Sequence, residues 1–171
     1  MASLPVTHCV IIVSMNITIF GTGYVGLVTG VCIAEIGNEV ICVDVDKEKI
    51  ERLKKGEVPI YEPGLEELLR KNASRLEFTT NGPKAIEKSE IIFIAVGTPS
   101  NPDGSANLKY VMEVAEEIGK NIKHNKIIVI KSTVPVGTNK KIGLIINSVK
   151  ARSVEFAVAS CPEFLREGTA I

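Results

Sequence analysis

From Met15 onward the apolar positions of the chain follow two alternating rhythms. Short runs rich in β-branched residues, at 17–20, 40–43, 76–79, 91–96, 127–130 and 156–159, have the length and composition of buried strands. Longer stretches between them carry helical spacing. Val25, Val28 and Cys32 recur along one face after the first run, and 47–55 is charged and helix-favouring after the second. A helix over 65–71 follows Pro63, 108–122 is the longest amphipathic stretch, and Pro135 opens a last helix that runs to about 149, since proline is tolerated in a first turn. Strands alternating with helices predict βαβ units. The expected fold is α/β: a doubly wound, Rossmann-type, mostly parallel six-stranded sheet with helices on both faces.

One long loop interrupts this regularity. Residues 97–107, "GTPSNPDGSAN", are rich in Gly, Pro and Asn and follow the fourth strand directly. In an open α/β sheet that carboxyl edge is where ligands bind.

The totals narrow the classes. A chain of 171 residues has room for one ordinary domain, here expected over 15–171. Its 20 basic and 20 acidic side chains cancel, which argues against a nucleic-acid partner, because phosphate neutralisation needs an excess of Lys and Arg. Cys9, Cys32, Cys42 and Cys161 show no metal-ligand spacing and suit core thiols in a reducing cytoplasm. His8 and His124 stand apart, so no metal is expected. The apolar run at 9–13 is too short to span a bilayer and has no basic flank, so no membrane partner is expected and residues 1–14 read as a non-native or frayed extension.

The candidate chemistry begins at Gly21, Gly23 and Gly26, a G-x-G-x-x-G between a strand and a helix. The first glycine allows a tight turn, the second admits a pyrophosphate, and the third lets helix and strand pack closely. Asp44 lies 18 residues beyond Gly26, at the end of the second strand. A carboxylate there accepts hydrogen bonds from a ribose and repels a 2′-phosphate, which favours NAD over NADP. The competing reading is a glycine turn beside a surface acid. "VGTPSNPDG" is equally compatible with turn chemistry and with backbone donors for a ribose or phosphate. In "KSTVPVGT", Ser132 and Thr133 either cap the next helix or face a ligand. Near the chain's end Glu163 and Glu167 are four apart, on one face if that piece is helical, with Arg166 beside them. They suit either proton transfer or a solvated helix start.

Taken in order, "GTGYVGLVTG", "VDVDKEKI", "PIYEPGLEELL", "VGTP", "KSTVPVGT" and "PEFLREG" resemble the nucleotide-sugar (UDP-glucose/GDP-mannose) dehydrogenase family, most closely its UDP-glucose 6-dehydrogenase branch. The resemblance runs from Met15 to Ile171. It implies an enzyme that oxidises a sugar alcohol to a carboxylate in two NAD-dependent steps through a thioester on a cysteine. It further implies that Gly21, Thr22, Gly23, Tyr24, Val25 and Gly26 hold the pyrophosphate and that Asp44 and Lys49 contact the adenosine side. By the same resemblance Val96, Gly97, Thr98, Pro99 and Ser100 line the cofactor, and Ser132, Thr133 and Val134 lie against the nicotinamide. Thr133 would also position the water that hydrolyses the thioester. Glu163 is the implied acid/base residue, Phe164, Leu165 and Arg166 lie along the nucleotide-sugar, and Glu167 reaches substrate and cofactor.

The chain departs from the family pattern in three places. Cys161 stands where the family usually reads Asn, Asn107 where an Asp is common, and the glycine-rich segment with the catalytic cysteine, lysine and asparagine has no counterpart. The family's substrate-binding C-terminal domain and the long helix that usually makes its homodimer also have none. The expectation is therefore an NAD-binding domain, truncated or split, that is inactive alone. A GDP-mannose or UDP-N-acetylated-sugar dehydrogenase, or a free-standing NAD-binding module, is the alternative.

Overall fold

The structure, a computed structural model, describes residues 14–171. The reading of residues 1–14 as an extension therefore falls, but for Ser14, outside the described residues. Strands β1 (Asn16–Phe20), β2 (Glu39–Val43), β3 (Leu76–Thr79), β4 (Ile91–Ile94), β5 (Lys126–Ile130) and β6 (Phe156–Ser160) form one sheet. Between them run helices α1 (Tyr24–Glu35), α2 (Lys47–Lys54), α3 (Leu65–Lys71), α4 (Gly82–Lys88), α5 (Lys109–Asn121) and α6 (Thr138–Val149). The strand order is β3-β2-β1-β4-β5-β6 and each neighbouring pair is parallel. Parallel neighbours cannot be joined by a hairpin, so each connection crosses over a face of the sheet. The chain winds outward from β1 to β3, returns to β4 beside β1, and winds outward again, which is the doubly wound arrangement expected.

Side-chain alternation divides the core. Ile17, Ile19, Val40, Cys42 and Phe78 point to one face, against Leu27 and Val31 of α1, Ile50 and Leu53 of α2, and Leu65 and Leu69 of α3. Phe20, Ile41, Val43, Ile92, Ile94, Ile128 and Ile130 point to the other, against Ile86 of α4, Val111 and Ile118 of α5, and Ile142 and Ile146 of α6. Each fully buried Ile or Leu contributes about 1.5–3 kcal/mol by leaving water. Both cores end at the carboxyl edge of the sheet, where the loops gather.

The structure differs from the sequence expectation in four places. β4 ends at Ile94 rather than at 96, because Lys131 and Ser132 donate both backbone N–H groups to the Ile94 carbonyl at 2.8 and 2.9 Å and turn the chain there. Helix α4 was not expected; Asn81 caps it by accepting from the Lys84 amide at 3.1 Å, and Pro83 sits in its first turn. Neither Pro63 nor Pro135 occupies a first turn: α3 and α6 start later, behind Gly64 and Gly137, whose φ values of +83° and +87° suit only glycine. Finally, 161–171 forms no helix. Among the described residues no helix is long and apolar enough to cross a membrane.

Candidate dinucleotide and substrate site

The winding of the strand order reverses between β1 and β4, and the crevice at their carboxyl ends holds the glycine loop. Gly21 leaves β1 with φ +98°, and a Cβ on it would lie 2.5 Å from the Ala95 carbonyl oxygen. A Cβ on Gly26 would lie 1.9 Å from the Gly21 carbonyl oxygen, so α1 packs against the turn with no room for a side chain. Gly23 is the opposite case: nothing lies within 4 Å of where its Cβ would stand, and its backbone is open to a ligand at the N-terminus of α1. Two glycines close the turn and the middle one leaves an approach for an anion. A cleft of about 510 Å³ opens there, lined in part by Gly21, Gly23, Asp44, Lys49, Val96 and Gly97.

Asp44 is fixed in this cleft from several directions. Its Oδ2 accepts from the Thr22 amide at 2.9 Å, the Thr22 hydroxyl at 2.6 Å and the Lys49 ammonium at 3.0 Å, while Oδ1 accepts from the Asp46 amide at 3.1 Å. Burial works to raise the carboxyl pKa, but the hydrogen bonds from Thr22, Asp46 and Lys49 outweigh it and hold it below the ordinary Asp value. Oδ1 keeps spare acceptor capacity, which is what a ribose diol requires. Thr22 is 1% exposed and directs its hydroxyl at Asp44. Its side chain therefore orients the carboxylate. Val25 is half-buried and packs on the α1–α3 core.

Of the loop after β4, Val96 and Gly97 line the cleft. The Thr98 hydroxyl donates to the Thr133 carbonyl at 2.9 Å, Pro99 accepts from the Asn107 amide at 2.8 Å, and Ser100 bridges to Ala106, so the loop folds on itself. Asn107 accepts from the Lys109 amide at 3.0 Å and steadies the entry to α5. Ser132 and Thr133 do not cap α6. The Ser132 hydroxyl donates to the Val96 carbonyl at 2.6 Å and so ties the two post-strand loops together. Thr133 is exposed, Val134 rests on the α4–α6 core, and both line a second cavity of about 400 Å³ with Pro162 and Glu163.

Glu163 is the buried acid of that second cavity. Its Oε1 accepts from the Leu165 amide at 2.5 Å, and its Oε2 lies 3.0 Å from the Lys131 ammonium, with both side chains about one-eighth exposed. The ammonium approaches off the hydrogen-bonding direction. Oε2 is thus a buried oxygen with an open lone pair. Cys161 is exposed, with its Sγ 4.0 Å from the same ammonium. Phe164 is 89% exposed and Arg166 is exposed, whereas Leu165 turns back onto the α1–α3 core. Glu167 is exposed on the non-helical segment, so it does not share a helix face with Glu163. The Tyr24 hydroxyl, pushed up to about 12 first by burial and then by its bond to Glu62, also feels the Glu167 charge.

Two residues of the site escape sequence reasoning. Lys131 supplies the counter-charge for Glu163; the available signal was a lysine closing an apolar strand just before Ser-Thr. Glu62 is 5% exposed and accepts from the Tyr24 hydroxyl at 2.7 Å and from the Gly168 and Ala170 amides at 2.7 and 2.8 Å. Hydrogen bonds pull its pKa down, that from Tyr24 most. No local pattern announces a contact between positions 106 residues apart.

In sequence and in fold the chain is similar to nucleotide-sugar dehydrogenases. UDP-glucose 6-dehydrogenase YwqF of Bacillus subtilis is 55% identical over 159 residues, 92% of this chain and 36% of that protein. UDP-glucose 6-dehydrogenase of Pseudomonas aeruginosa is 50% identical over 162 residues, with 36% of its length covered. Among solved structures, a UDP-glucose dehydrogenase from Pyrobaculum islandicum superposes with a TM-score of 0.87 at 40% identity, over 99% of this chain and 39% of that one. A ternary complex of GDP-mannose dehydrogenase from Pseudomonas aeruginosa gives 0.86 at 43% identity, over 92% and 38%. The chain spans little more than a third of the length of these relatives. Residues 15–171 match the UDP-glucose/GDP-mannose dehydrogenase family over its NAD binding domain, and the chain belongs to that family as an NAD-binding domain.

Proposed function

We propose that residues 15–171 are the cofactor unit of a nucleotide-sugar dehydrogenase that oxidises UDP-glucose at its primary alcohol. NAD, held in the first cleft, would supply the hydride acceptor. The chain's own residues do the rest. Gly23 and the N-terminus of α1 receive the pyrophosphate, with Tyr24 and Val25 holding the start of the helix, and Asp44, set by Thr22 and Lys49, takes the adenosine ribose. Val96 to Ser100 and Ser132 to Val134 shape the wall between the two cavities. Thr133 and Glu163 hold and deprotonate a water or a sugar hydroxyl, and Glu163 Oε2 is the observation that carries this reading, since it is a buried acceptor left open beside an exposed threonine. Phe164, Arg166 and Glu167 present an exposed edge to the nucleotide-sugar.

UDP-glucose ranks ahead of GDP-mannose because the relatives at 50–55% identity are UDP-glucose 6-dehydrogenases; the solved structures do not separate the two, at 40% for the UDP-glucose enzyme and 43% for the GDP-mannose enzyme. The free thiols at Cys32, Cys42 and Cys161 suit a reducing cytoplasm. A cysteine thioester calls for a reactive thiol facing the substrate, and neither Cys32 nor Cys42 qualifies: burial raises both, the latter to about 12. Cys161 is exposed but stands where the family pattern usually reads Asn, so we assign the nucleophile, the substrate domain and the homodimer contact to sequence of the kind that the longer relatives carry. Two assays of NADH formation test the proposal. The chain alone should give no sustained turnover with UDP-glucose and NAD. Joined to the remainder of the Bacillus subtilis relative, it should turn over UDP-glucose well ahead of GDP-mannose. Turnover by the chain alone, or a preference for GDP-mannose, contradicts it.

A further inference from the structure

Glu62 takes a carboxylate into the protein without a cation to meet it. Arg52 and Arg70 line the cavity next to it, but each pairs elsewhere, with Glu57 at 3.4 Å and with Glu66 at 2.5 Å. The Glu62 oxygens are satisfied instead by three neutral donors: the Tyr24 hydroxyl, the Gly168 amide and the Ala170 amide. A buried carboxylate so held is costly to desolvate, and an apolar side chain fills such a place at lower cost if packing is all that is needed. Its three donors come from two parts of the chain that have different work. Tyr24 is the first residue of α1 and adjoins Gly23, the open glycine of the dinucleotide turn. Gly168 and Ala170 belong to the segment that carries Glu163 and Glu167 and has no helix or strand of its own to fix it. At its start the segment is tied by the Cys161 amide, which donates to the Ile130 carbonyl at 2.8 Å, and by Glu163 on Lys131 at 3.0 Å; towards its end the Glu62 bonds hold it, with Leu165 and Ala170 packed against the α1–α3 core.

We propose that Glu62 is a positioning residue that couples the dinucleotide turn to the segment bearing Glu163 and Glu167. The coupling rests on the cofactor reading given above. A dinucleotide seated on Gly23 immobilises the start of α1 and with it the Tyr24 hydroxyl. A fixed Tyr24 steadies Glu62, and a steadied Glu62 holds the Gly168 and Ala170 amides. Thermodynamic reciprocity then requires that the ordered segment favour dinucleotide binding by the same factor.

Amide hydrogen exchange of the 171-residue chain, with and without saturating NAD, tests this in the wild type, Glu62→Gln and Tyr24→Phe. Gln offers a single acceptor oxygen where Glu offers two, so Glu62→Gln should speed exchange at Gly168 and Ala170 on the order of tenfold while the sheet amides of Ile92 and Ile128 stay protected. NAD should slow exchange at Gly168 and Ala170 in the wild type. Tyr24→Phe removes one hydroxyl and keeps the carboxylate, so it should retain basal protection and lose the NAD-dependent part. A purely structural Glu62 gives no NAD-dependent change at all. Unchanged exchange in Glu62→Gln, or an NAD effect that persists in Tyr24→Phe, overturns the coupling. If NAD protects Gly21 to Gly26 but not Gly168 and Ala170, the coupling fails and the cofactor reading stands; if it protects neither, both fail.

Discussion

Asp44 concentrates the site's electrostatics in one side chain. Its hydrogen bonds depress its pKa in the folded state, so the stability they contribute is fully present above the unfolded value near 3.8 and is lost as pH falls through the folded value. Asp44→Asn should therefore lower the melting temperature by a constant amount between pH 5 and pH 7, and the gap to the wild type should close below about pH 4. Thermal melts across that range check both halves of the statement. Lys131 is the second residue-scale lever. Lys131→Met leaves Glu163 buried without its counter-charge and should cost on the order of 1–3 kcal/mol in denaturant unfolding. Among the described cysteines only Cys161 is exposed, so brief alkylation followed by peptide mass spectrometry should label it ahead of Cys32 and leave Cys42 unmodified.

Elements were legible where they obeyed a period and obscure where they depended on a distant partner. All six strands and the long helices follow from alternation and helical spacing, because a parallel sheet buries both faces and needs crossovers. α4 was missed although Asn81 and Pro83 mark its start; its seven residues are too few for periodicity to speak. The prolines misled because the turns before α3 and α6 insert a left-handed glycine between proline and helix. Glu163 and Glu167 would share a face only if their segment were helical, yet it is held open by Glu62 and by the Leu165 amide on Glu163, neither of which a local pattern encodes. The glycine turn, by contrast, was readable residue by residue, since each glycine answers a separate steric demand. Gly26→Ala should push α1 off the turn, cost about 1–3 kcal/mol and abolish NAD binding, as followed by urea unfolding and calorimetry.

At the scale of the whole molecule, two winding halves converge on one carboxyl edge, and that edge holds both cavities. The first is lined by the ends of β1 and β2, the loop after β4 and one face of α5, and is the cleft proposed for the dinucleotide; the second, behind the Ser132 tie, holds the Glu163–Lys131 pair. Sequence placed most of these residues at the right edge, because the ends of parallel strands are fixed once the strands are. It did not rank them, because Lys131 and Glu62 owe their roles to burial. The central claim is that the first cleft takes NAD and reads its unphosphorylated ribose through Asp44. Calorimetric titration of NAD and NADP into the chain tests it most directly: NAD should bind and NADP should bind at least about tenfold more weakly, with that gap narrowed in Asp44→Asn. Equal affinity of the wild type for the two dinucleotides, or a gap that Asp44→Asn leaves intact, contradicts it.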